Sequence, residues 1–99
     1  MRPFRLTPAA EDDLFDIWSF IAPDNLPAAD RLQTDLLAAC QRVADKPDIG
    51  HWRRDLTDKP VRFFTVRQNY LIVYDPGSQP LAVIRVLHGA RDVSAQLEE

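Results

Sequence analysis

Tyr70-Leu71-Ile72-Val73-Tyr74-Asp75-Pro76-Gly77-Ser78-Gln79-Pro80-Leu81-Ala82-Val83-Ile84-Arg85-Val86-Leu87-His88-Gly89-Ala90-Arg91-Asp92 is the stretch whose reading decides the fold. Two dense runs of β-branched and aromatic residues flank a Pro-Gly-rich link, the pattern of two strands joined as a hairpin. The second run carries Arg85 among apolar neighbours and ends in a polar cluster from His88 to Asp92. A strand with a cation in mid-run builds something besides a core.

Upstream, Val61–Arg67 reads as a further strand, with Gln68-Asn69 as a two-residue hairpin turn. Residues 47–60 read as a polar loop. Ahead of the loop the period changes. Leu14, Ile17, Trp18 and Ile21 recur at i, i+3, i+4 and i+7 behind Thr7-Pro8, a helix start with Thr as cap and Pro in the first turn. Glu11, Asp12 and Asp13 suit the positive end of that helix. Pro23-Asp24-Asn25 ends it and begins a second, whose face of Ala29, Leu32, Leu36, Cys40 and Val43 runs to Lys46-Pro47. Trp18 and Cys40 read as core on these stripes. Residues 3–6 alternate as a short first strand, and 92–97 allow one terminal helical turn. The order is β-α-α-β-β-β. It predicts a single α+β domain over 1–99, with a mainly antiparallel sheet and a helix hairpin on one face.

Ninety-nine residues suffice for one modest core. No run approaches the ~20 apolar residues of a spanning helix, and the N-terminus lacks the apolar run of a signal peptide. One cysteine excludes an internal disulfide and fits a reducing, cytoplasmic setting. One cysteine and two scattered histidines predict neither metal nor cofactor. The net charge of −3 is unevenly spread. Residues 1–50 hold five basic and nine acidic side chains, residues 51–92 seven basic and four acidic. Such a chain does not grip long nucleic acid by phosphate contacts alone, but it allows a local basic face in its second half.

The strand Tyr70–Tyr74, the turn, and Ile84-Arg85-Val86-Leu87-His88-Gly89-Ala90-Arg91-Asp92 resemble the C-terminal half of RelE/ParE-type toxins of bacterial type II toxin–antitoxin pairs. The element order extends the resemblance over nearly the whole chain. In the loop, Gly50, Arg53 or Arg54, Asp55-Leu56 and Arg62 follow the pattern of ParE-like members. The resemblance implies a growth-inhibiting toxin associated with plasmid stabilization, with a cognate antitoxin as partner. RelE-type members are ribosome-dependent mRNA endoribonucleases, strongly basic, using lysines and a late Tyr or His. This chain has two lysines, Lys46 and Lys59, and no tyrosine after Tyr74. His88 stands in the Gly-Ala-Arg-Asp setting of ParE-like members, which inhibit DNA gyrase without cutting nucleic acid. The nearer reading is therefore a gyrase inhibitor rather than an enzyme. The alternatives are a ribonuclease acting on ribosome-bound mRNA through Arg62, Arg85 and His88, and a degenerate member confined to antitoxin binding and operon autoregulation.

The residues expected to meet target or antitoxin are Arg53, Arg54, Arg62, Arg85, His88 and Arg91. Strict alternation places Leu81, Val83, Arg85 and Leu87 on one face of the last strand and Ala82, Ile84, Val86 and His88 on the other. Arg62 and Arg85 together then define an open, helix-free face, while Ile84 packs under Leu14, Ile17 and Leu36. A lone arginine in a strand ordinarily pairs with a carboxylate at a sheet edge. Two of them, with the resemblance, point to a functional face. Arg53, Arg54 and Lys59 read equally as a solvated loop. His88 reads first as a strand-end residue fixing the Gly89 turn by pairing with Asp92, and Gly89 as supplying a backbone conformation barred to other residues.

Overall fold

The computed structural model describes residues 1–89 and 93–98. Strand β1 (Phe4–Leu6) leads into helices α1 (Pro8–Ile21) and α2 (Leu26–Asp45). A single 3-10 turn (Pro47–Ile49) follows, then β2 (His51–Trp52), β3 (Arg62–Val66), β4 (Tyr70–Asp75), β5 (Leu81–His88) and α3 (Val93–Glu98). The sheet runs β1-β5-β4-β3-β2. β1 lies parallel to β5 and every other pair is antiparallel. The α+β class and the helix hairpin are those the sequence predicts, and the predicted order gains a short strand, β2, inside the loop.

Local chemistry accounts for the helix limits. Thr7 has extended backbone and its hydroxyl accepts from Ala10 N at 3.1 Å, which fixes the start of α1 with Pro8 behind it. Asn25 does the same for α2, accepting from Ala28 N at 3.0 Å. The facing stripes then close on the sheet. Leu14, Leu32, Leu36, Cys40 and Val43 pack with Ile72, Tyr74, Val83 and Val86 in one buried cluster. Trp18 departs from expectation: it is half-buried at the rim, where its indole N–H donates to the Asp30 carboxylate at 2.9 Å.

The loop 47–60 holds structure that its polar composition hid. The buried Tyr74 hydroxyl donates to Pro47 O at 2.6 Å and accepts from Gly50 N at 2.9 Å, pinning the loop to the sheet. Gly50 is required there for space: a Cβ on it meets the Tyr74 ring at 2.8 Å. So held, the next two residues pair with β3 as a fifth strand. The β3–β4 turn also starts one residue earlier than expected and takes three residues, 67–69. Val66 pairs with Tyr70, and Arg67 and Gln68 take the left-handed backbone.

The expected open face of the sheet is covered. Val93 and Leu97, four apart on α3, pack with Val61, Phe63, Val73 and Leu87 in a second buried cluster. The expected alternation along β5 also fails beyond Val83. Val73 pairs with Arg85 and Tyr74 with Val83, leaving Ile84 as the extra residue of a β-bulge. Ile84 therefore joins the second cluster, away from Leu14, Ile17 and Leu36, while Val86 joins the helix side.

Candidate functional site

β1 pairs with β5 only through Val83, so beyond it the strand edge is open to whatever α1 presents. Arg85 pairs across the ladder with Val73 of the second cluster, and Asp13 of α1 meets its guanidinium with both oxygens: Nε to Oδ2 at 2.7 Å and Nη2 to Oδ1 at 2.9 Å. Asp13 also accepts from Val86 N at 3.0 Å, capping the strand edge. Nη1 of Arg85 reaches the Gln96 carbonyl at 2.7 Å, so one guanidinium ties α1, β5 and α3 together. Both side chains are nearly buried, 15% and 14% exposed. The expectation of Arg85 on an open recognition face is thus corrected: its fork is engaged by a carboxylate inside the molecule.

Arg62 lies on the opposite side from that expected face. It pairs across the ladder with Tyr74, on the helix side, at the far edge of the sheet. Its guanidinium lies over the Trp52 ring at 4.5 Å from the centroid and donates to Gly50 O at 2.9 Å. Arg54 approaches the same ring at 5.5 Å. Arg53 forms an exposed, two-bond pair with Asp55 in its own loop, at 3.0 and 2.7 Å. Arg91 and Asp92 lie outside the described residues, as does the expected His88–Asp92 pairing. His88 meets Tyr70 edge-on, with ring centroids 5.1 Å apart. Gly89, expected to supply a backbone conformation barred to other residues, does not have a positive φ. Its N–H donates to Asn69 O at 2.7 Å, and a Cβ there comes to 3.3 Å from that oxygen, so glycine again serves a close approach.

These residues do not converge. His88 stands opposite Tyr70 and Arg62 opposite Tyr74, four residues apart along β4, or about 13 Å at the rise of a strand. What the fold does assemble beside His88 is a cleft of about 450 Å³ between α1 and the β4–β5 end of the sheet. Its walls include Ile17, Phe20, Tyr70, Val86 and His88, with Asp16 at the rim. Phe20 is 82% exposed. An apolar trough with an exposed aromatic and a carboxylate at its lip suits an amphipathic protein segment. Asp13, Phe20, Tyr70 and Trp52 were missed as site residues. Asp13 sits in an acidic run that helix-dipole chemistry already explains, and nothing in the sequence ties it to Arg85. Trp52 next to Arg53-Arg54 was the one visible signal, an aromatic beside two cations.

Among the described residues no group of three or more His, Cys, Asp or Glu side chains is placed to hold a metal ion. None of their helices is long and apolar enough to cross a membrane.

Residues 4–93 match the model of the family described as ParE toxin of type II toxin-antitoxin system, parDE. The fold is similar to a solved chain described as the chromosomal ParDE TA system from P. aeruginosa. The TM-score is 0.71 and the identity 18%, over 89% of this chain and 96% of that one. At that identity the likeness speaks for the fold. No curated protein gives a significant match to the sequence.

Proposed function

Because the chain belongs to the ParE toxin family of type II toxin–antitoxin systems, we propose that it arrests growth in the cytoplasm by binding DNA gyrase, without cutting nucleic acid. A cognate antitoxin neutralises it by laying an amphipathic segment into the cleft beside α1. Gyrase enters this reading through the family alone. The antitoxin site rests on the apolar trough of Ile17, Phe20 and Tyr70, whose acidic lip at Asp16 calls for a basic residue on the segment that fills it. Such a segment is disordered alone and folds on binding.

The observation that carries the non-nucleolytic reading is the separation of Arg62, Arg85 and His88. Cleaving RNA needs a base at the 2′-hydroxyl, an acid at the leaving oxygen and cations at the phosphate, all within hydrogen-bond reach of one bond. Here Arg85 is held by Asp13 and the Gln96 carbonyl. Arg62 stands about 13 Å of strand away from His88, beneath Trp52. These placements favour a protein-binding toxin in which Arg85 maintains the shape of the surface. Expression in a host, with and without the adjacent small reading frame, tests the reading. Growth arrest relieved by that frame, with full-length ribosome-bound messages, is the expected outcome. Site-specific cleavage of messages in the ribosomal A site overturns it in favour of the ribonuclease.

A further inference from the structure

We propose that the outer edge of β2, with Trp52, Arg54 and Arg62, docks an acidic, extended protein segment that joins the sheet as an added strand. The site is separate from the cleft beside α1: three strands lie between β5 and this edge in the order β5-β4-β3-β2, about 14 Å across the sheet. The inference does not depend on which target the toxin arrests.

Three observations carry it. First, β2 is a terminal strand. His51 and Trp52 pair with Phe63 and Arg62 on one side only, so one of the two presents its N–H and C=O outward as a short open template. Second, the two guanidiniums beside that template form no ion pair within the described residues. Arg53, Arg67 and Arg85 each pair with an aspartate. Among the described residues Arg54 and Arg62 have only neutral acceptors: Asp58 O for Arg54 at 3.4 Å, and Gly50 O and Asp48 O for Arg62 at 2.9 and 3.3 Å. The Arg62 Nε–H is buried with no acceptor. Third, Trp52 stays 43% exposed in an otherwise polar loop, and its indole holds both guanidiniums close. Two oriented, unpaired forks beside a free strand edge fit the carboxylates of an extended peptide, whose alternate side chains all fall on one face.

Single-stranded nucleic acid fits less well. A base would have to displace a guanidinium to stack on the indole.

The test uses a labelled eight-residue peptide alternating glutamate and valine, followed by fluorescence anisotropy on the intact protein. Arg54 is exposed, so Arg54→Glu is the informative variant, with Trp52→Ala beside it and melting curves on both. Binding should weaken as salt is raised. Arg54→Glu should weaken it roughly tenfold, since the reversal replaces an attraction by a repulsion. N-methylation of alternate backbone amides should abolish it. Three results overturn the proposal: no binding to the wild-type protein, equal binding of the methylated peptide, or an eight-nucleotide oligothymidylate that binds more tightly and is lost with the same variants.

Discussion

Arg85→Ala should strongly destabilise this domain, and any effect on recognition follows from that. The truncation strips Asp13 of its cation at a site where both side chains are about one-seventh exposed. Removing one member of a buried pair costs about 3–5 kcal/mol when the remaining charge is fully enclosed. Partial exposure selects the lower part of that range. The Gln96 carbonyl loses its donor as well, worth about 1 kcal/mol. The sum, about 4–5 kcal/mol, is a large share of the ~5–15 kcal/mol that holds a domain of this size. At ~4–8 °C per kcal/mol the midpoint should fall by roughly 15 °C or more. Because Arg85 also secures α3, amide exchange in 93–98 should accelerate first. Asp13→Ala should cost about as much, since it exposes the Val86 N–H too, and the double variant should cost clearly less than the two single losses combined. Ile84→Ala, half-buried in the second cluster, should lose only about 1–2 kcal/mol, below the full burial cost. The assay is a set of thermal melts by circular dichroism on the four variants. A midpoint for Arg85→Ala within about 2 °C of wild type, with α3 still protected, would refute the clamp and return Arg85 to the role of an exposed recognition residue.

Gly50→Ala should lower the melting point through a clash with the Tyr74 ring, at the ~1–3 kcal/mol typical of overpacking, and loosen the β2 edge; urea titration reads it. Cys40 is fully buried, and desolvation pushes its thiol up to about 12 from an ordinary 9.0. At neutral pH it should therefore resist a thiol reagent until the chain unfolds. A folded value above the unfolded one means that the stability linked to this proton is complete below pH 9 and declines as pH rises towards about 12. Tyr74, raised by burial, acts in the same direction. Melts in alkaline buffers should show the decline, and Cys40→Ala should flatten it.

The fold was legible because its elements are written in local chemistry. Thr7-Pro8 and Asn25 start the helices, the 3.6-residue stripes mark their buried faces, and the β-branched runs mark β3 to β5. The facing of Ile84 was not legible. It depends on one extra residue in the β4–β5 ladder, and a bulge in mid-strand leaves no mark on a pattern that is apolar on both sides. The second cluster escaped for a related reason: a six-residue helix with two apolar positions carries little periodic signal, yet it covers one face of the sheet. β2 is two residues long, and it exists because a tyrosine 22 positions downstream of Trp52 anchors the preceding loop. Of the candidate site, Arg54, Arg62 and His88 were visible by residue type, but the carboxylate that claims Arg85 lies 72 positions away.

The most direct measurement of the central claim is a supercoiling assay with purified DNA gyrase, relaxed plasmid and this protein at increasing concentration, with intact and ribosome-bound mRNA incubated in parallel. Supercoiling should be inhibited, pre-incubation with the cognate antitoxin should restore it, and the mRNA should remain full length. Undiminished supercoiling together with discrete mRNA cleavage on the ribosome would contradict the claim.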